Sequence, residues 1–186
     1  LSKNTQSENE KEFIMMDVTL KVHRMYDDVV MPSFETEWSS CFDLRAYLQP
    51  GDSVKYWDWF NYSGEYIIGD ERKFELRPGD RALVPTGLIF DLDKGQSIRA
   101  HPRSGTALKT GIMLSNAEGV IDADYTKQTF LTLFNVSKRP FVVEHGSRPV
   151  QAELYYRGYN DIHFEDVGAP GQKTSRSGGF GSTGKS

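Results

Sequence analysis

The chain has 186 residues, with 22 Lys and Arg against 26 Asp and Glu, for a formal net charge of −4. That length suffices for one domain with a sizeable core, and the negative balance argues against general nucleic-acid binding, which needs a basic surface to displace counterions. No apolar run reaches the roughly 18 residues of a membrane span or forms a signal-peptide core. The single cysteine, Cys41, rules out an intrachain disulfide and a multi-cysteine zinc site, so a soluble cytoplasmic protein is expected.

Residues 1–15 are polar, charged and without periodicity, and read as a disordered lead-in to a β domain over 16–167. Val18, Leu20 and Val22 then alternate with polar residues at the period of a strand. CFDLRAYL continues the β pattern. Residues 52–75 break the rhythm: Tyr56, Trp57, Trp59, Phe60, Tyr62 and Tyr66 fall within eleven positions. Two readings stand for this segment, an inserted hairpin packed on the barrel or a surface that grips a protein partner. The β-type runs RALVPTGLIFDL and SIRAH follow. SGTALKTGI is the one short helix predicted, entered at Ser104 and stopped near Gly111. TFLTLFNV, PFVVEH and PVQAELYYR complete the strands, with Pro-Gly, Asp-Lys-Gly and His-Gly-Ser as turns. Many short strands at regular spacing predict an all-β sandwich, jelly roll or small barrel. Residues 168–186, dense in Gly, Ser and Thr, read as a flexible arm.

Three segments carry chemistry. GVIDADY, at 119–125, presents two carboxylates at a strand end or hairpin tip, where an aspartate can hold a metal or deprotonate a water. PRSGTALKTG, at 102–111, offers Arg103 beside the Ser104-Gly105 backbone at a helix start, an arrangement suited to an anion. GGFGSTG, at 178–184, can wrap phosphates with glycine-permitted backbone N–H groups, yet it is not a Walker A loop. The four histidines are scattered without metal-ligand spacing.

In order along one chain, these segments resemble the five motifs of the trimeric dUTPases. The first reads SCFDLRA at 40–46, the second RSGTALKTG at 103–111, and the third GVIDADY, running on to Asn135. RPVQ at 148–151 resembles the fourth, and GGFGSTG is the fifth intact. The resemblance implies a jelly-roll β-barrel homotrimer with shared sites, hydrolysing dUTP to dUMP and pyrophosphate. It implies that Asp122 deprotonates the attacking water, and that Tyr125 packs on the deoxyribose and excludes a 2′-hydroxyl. Asn116, Gly119 and Ile121 belong by the same resemblance to the hairpin that reads the uracil edge. Arg103, Ser104, Gly105 and Gln151 would hold phosphates. Mg²⁺ would ride on the substrate phosphates, touched only through water by Asp43. The arm would bring Arg176 to the γ-phosphate, Phe180 onto the uracil, and Gly181, Ser182 and Thr183 around the phosphates. The chain departs from the family at Cys41, where Gly is usual, at Thr126-Lys127-Gln128, where Arg-Gly-Glu is usual, and at Arg176, which lies one residue nearer the Phe. The two alternatives are a dCTP deaminase-like enzyme and a regulatory protein-binding module on the same fold.

Overall fold

The computed structural model describes residues 18–157 and 165–166. In chain order the strands are β1 (Lys21–Arg24), β2 (Phe42–Leu44), β3 (Ser53–Trp57), β4 (Ser63–Ile67), β5 (Lys73–Leu76) and β6 (Arg81–Pro85). Then come β7 (Leu88–Asp91), β8 (Gln96–Pro102), the helix α1 (Ser104–Thr110), β9 (Ile112–Leu114) and β10 (Gly119–Asp122). The last three are β11 (Phe130–Asn135), β12 (Phe141–Glu144) and β13 (Val150–Tyr156). The expected all-β architecture with one short helix is what forms. α1 stops at Gly111, whose φ of 71° is left-handed and whose N–H donates to the Ala107 carbonyl at 3.0 Å.

Alternation builds the core. β6 buries Ala82 and Val84, β11 buries Leu131 and Leu133, and β13 buries Val150 and Ala152, while the residues between them face outward. The resulting sheets run β4-β3-β6-β11-β9 and β10-β8-β13-β2, with two-stranded ribbons β1-β7 and β12-β5. Their inward side chains form one apolar cluster. The run RALVPTGLIFDL, continuous in sequence, is cut into β6 and β7 at Thr86-Gly87. There the Thr86 hydroxyl donates to the Thr129 carbonyl at 2.7 Å and accepts from the Leu88 N–H at 3.2 Å. Gly87, at φ 69°, has no room for a side chain, since a Cβ would lie 2.6 Å from a Val29 methyl. The chain therefore turns a corner and changes partner from β11 to β1.

Segment 52–75 does contain a hairpin, β3–β4, but it is built into the fold rather than laid on it. β3 docks on β6 through Tyr56↔Ala82 and Trp57↔Arg81, while β5 leaves to pair with β12. Val54, Ile68 and Phe74 are core residues. The Tyr66 hydroxyl donates at 2.7 Å to the buried Asp80 carboxylate, which the Arg77 Nε also meets at 3.0 Å. Burial first, and the Asp80 carboxylate second, push the Tyr66 phenol up to about 12. Excising the whole segment therefore removes core.

Asn135 ends β11 fully buried. Its amide donates to the Leu76 carbonyl at 2.9 Å and the Arg139 carbonyl at 2.8 Å, while its side-chain oxygen accepts from the Ser137 N–H at 3.0 Å and hydroxyl at 2.8 Å. Asn135→Ala strands these groups in the interior. It is expected to cost about 2–4 kcal/mol, read as a fall in urea midpoint with unchanged slope; a shift under about 0.5 kcal/mol contradicts the buried network.

Candidate active site

Residues from four separate segments meet at the end of β8. Across the sheet, Asp43 on β2 stands opposite Gln151 on β13, and Gln151 stands opposite His101 on β8. Arg103 follows β8 directly as the cap residue of α1, in extended conformation at ψ 135° and without a side-chain cap bond. Its guanidinium turns toward Asp43, with Nε 3.3 Å from one carboxylate oxygen, while Nη1 donates to the Arg148 carbonyl at 3.3 Å. Arg148 Nη1 donates to the other oxygen at 2.9 Å and to Glu35 Oε2 at 2.6 Å. Glu35 first, and Asp43 with it, strengthen the hold of Arg148 on its proton. Gln151 Nε2 reaches the Pro102 carbonyl at 3.5 Å. Ser104 and Gly105 open α1 on the exposed surface, and a Cβ at Gly105 would meet nothing within 4 Å. Two guanidiniums, one amide and an accessible first helical turn thus lie together, a donor set whose chemistry suits an anion. Asp43 keeps its arginines aligned in the meantime.

A second group lies on and after β10. Asn116 sits in the turn before it, and its side-chain oxygen accepts from the Thr132 hydroxyl at 2.7 Å. Gly119 is crowded: a Cβ there would lie 3.1 Å from the Ala100 Cβ and 3.4 Å from the Asn116 amide nitrogen. Ile121 and Tyr125 line a cavity of about 280 Å³ with Leu83 and Thr132. Tyr125 is fixed at both ends, its N–H donating to the Asp122 carbonyl at 3.1 Å and its hydroxyl to the Gln128 carbonyl at 2.9 Å. Asp122 ends β10 with an exposed carboxylate. It lines a cavity of about 480 Å³ together with Lys94, Arg99 and Arg157.

The sequence motifs are thus gathered into two groups, not one. Asp122 pairs with Ser97 near the start of β8, whereas Arg103 lies just beyond its end. Six residues at about 3.3 Å each put roughly 20 Å of strand between them. The expected hairpin around Asn116 also differs in detail. β9 pairs with β11 and β10 with β8, so the two strands flanking the turn belong to different sheets. Within the turn, the Ser115 N–H donates to the Thr132 carbonyl at 2.8 Å and the Ala117 N–H to the Leu114 carbonyl at 3.1 Å. Arg176, Phe180, Gly181, Ser182 and Thr183 lie outside the described residues. Sequence reading passed over Arg148, Glu35, Lys94 and Arg157. Arg148 stood inside a quoted motif, while the other three come from turns and strand ends that only the fold brings close.

Residues 66–184 match the family model described as dUTPase. The chain belongs to the dUTPase family. Relatives named deoxyuridine 5′-triphosphate nucleotidohydrolase include one from Bartonella bacilliformis, 37% identical over 166 residues and covering 83% of this chain and 82% of that protein. Another, from Brucella melitensis, is 33% identical over 154 residues, covering 83% of this chain and 84% of its own. Two dUTPase structures share the fold. That of Streptococcus mutans has a TM-score of 0.57 at 24% identity, covering 77% of this chain and 98% of its own. That of Staphylococcus bacteriophage 80alpha, a point mutant with dUpNHpp, has a TM-score of 0.66 at 16% identity, covering 89% and 98%. The match to the dUTPase model takes in the second through fifth motifs and the end of segment 52–75. Among the described residues no helix is long and apolar enough to cross a membrane, and no three His, Cys, Asp or Glu gather as a metal site.

Proposed function

We propose that the chain hydrolyses dUTP to dUMP and pyrophosphate. The observation that carries this reading is the pairing, within a dUTPase-family chain, of a β10 segment whose Ile121 lines one cavity and whose exposed Asp122 carboxylate lines the next with a separate arginine-rich cluster. Water held by Asp122 attacks the α-phosphorus; a P–O bond forms, the bridging bond to the β-phosphate breaks, and the proton passes to Asp122. An ordinary carboxylate is a weak base at neutral pH. Positioning and charge neutralisation by Arg103, the Ser104-Gly105 backbone and Gln151 therefore supply most of the rate. The arm residues Arg176, Phe180, Gly181, Ser182 and Thr183 are proposed to close over the bound nucleotide.

The roughly 20 Å along β8 favours a site shared between subunits of a homotrimer. One chain supplies Asp122 and Tyr125 while its neighbour supplies Arg103. Magnesium fits this donor set as a substrate-borne ion. Asp43, already holding two guanidiniums, keeps lone pairs for a bound water, and magnesium parts with its waters reluctantly. When bound, the ion neutralises phosphate charge.

A panel of nucleoside triphosphates assayed for pyrophosphate tests the reading; turnover of dCTP or ATP as fast as dUTP overturns it. The same assay examines the sugar. Tyr125→Ala is expected to lower the dUTP-to-UTP ratio of kcat/KM by about tenfold or more, because the ring excludes a 2′-hydroxyl by clash. An unchanged ratio removes Tyr125 from that role.

A further inference from the structure

We propose that the β3–β4 hairpin is a wall of the nucleoside-binding region, with Trp57 and Asn61 setting how tightly the Asn116 turn engages substrate; this deepens the proposed function and rests on it. The cavity lined by Ile121 and Tyr125 does not end at Thr132. A neighbouring cavity of about 410 Å³ shares Leu83 and Thr132 with it and continues to Trp57, Asn61, Arg81 and Ser115. Ser115, in the turn that carries Asn116, lines the second cavity, and Asn116 bonds Thr132, which lines both. The Ser115 N–H donates to the Thr132 carbonyl at 2.8 Å, and the Thr132 hydroxyl donates to Asn116 at 2.7 Å.

The opposite wall is held firmly. Trp57 stands opposite Arg81 in the β3–β6 register. Arg81 donates to the Asn61 side-chain oxygen and, at 3.5 Å, to the Asp58 carbonyl. Asn61 itself takes a left-handed φ of 65°, which Asn tolerates better than most residues. Behind it, Asp58 Oδ1 accepts from the Phe60 and Tyr62 N–H groups, each at 2.9 Å.

An indole that shares a cavity with Ser115 of the polar turn has a defined physical effect. Trp57 keeps water from competing for the turn groups left open once the Ser115 and Ala117 N–H groups are taken by the Thr132 and Leu114 carbonyls, so each hydrogen bond to the base is worth more. That gain is the same before and during reaction, since no bond of the base changes in the hydrolysis. Uniform binding of this kind changes KM and leaves kcat alone.

The test compares Trp57→Ala and Asn61→Gly with Tyr62→Ala, whose side chain lines none of these cavities. Asn61→Gly preserves the left-handed backbone while removing the amide that Arg81 holds, so it reports even if the tryptophan variant does not fold. Both wall variants are expected to raise KM for dUTP about fivefold or more with kcat within about twofold, and Tyr62→Ala to match wild type. In a Trp38→Phe, Trp59→Phe background, where Trp57 is the remaining tryptophan, dUpNHpp is expected to shift the emission. An active parent whose wall variants keep the wild-type KM, with Trp57 emission unmoved by dUpNHpp, overturns the inference alone. A parent that hydrolyses no dUTP overturns the proposed function and this inference with it.

Discussion

Asp122→Asn is expected to leave a folded protein that still binds dUTP but turns it over at least about a hundredfold more slowly, the loss usual for a positioned base. The carboxylate sits at the exposed end of β10, and its side chain accepts no hydrogen bond among the described residues. The backbone bond that fixes the following turn runs from the Tyr125 N–H to the Asp122 main-chain carbonyl, which the substitution keeps. Asparagine is nearly isosteric and cannot take up a proton at neutral pH. The change therefore removes basicity and little else. Steady-state kcat, with dUpNHpp affinity measured alongside, separates chemistry from binding; a near-wild-type kcat removes Asp122 from the catalytic role.

Mixing two inactive variants is expected to restore activity. Asp122→Asn and Arg103→Ala lie at opposite ends of β8, so in a shared site they damage different contributors. Arg148 still pairs with Asp43 when Arg103 is lost, which spares the half-buried carboxylate from standing alone. After joint unfolding and refolding at equal ratio, about one site in four combines an intact Asp122 with an intact Arg103 from a neighbour. Pyrophosphate release near a quarter of wild type supports the shared site. Activity no higher than the sum of the parents, with mixed assemblies verified by mass, rejects it.

Much of this was legible in the residues because alternation and turn chemistry are local. The Leu131–Leu133 pattern of β11 and the Ser104 and Gly111 limits of α1 follow from neighbours in the chain. Pairing is not local. Nothing within GIMLSNAEGVID says that β9 and β10 go to different sheets, because that depends on β11 and β8, which lie elsewhere. The aromatic density of 52–75 marked a hairpin, but its burial could not be read from it. Val54 enters the core on a strand whose far end is registered on β6, and Ile68 follows through backbone bonds to Gly51 and Asp52. The site divides likewise. Motifs named Arg103, Gln151 and Asp122, whereas the Glu35–Arg148–Asp43 chain joins residues 113 and 105 positions apart, a relation only folding creates.

The two ends of β8 have a consequence for inheritance. In a shared-site trimer, Asp122, held beside one end of β8 by β10, and Arg103, just past the other end, face different neighbours, so each chain takes part in more than one site. A chain carrying lesions at both ends would spoil its own contribution in both places while still assembling normally. In a cell expressing intact and doubly damaged copies equally, about a quarter of sites would remain whole, where an enzyme with self-contained sites keeps about half. Damage to such a gene would be dominant in proportion to its dose, a property that arises from where a single strand begins and ends.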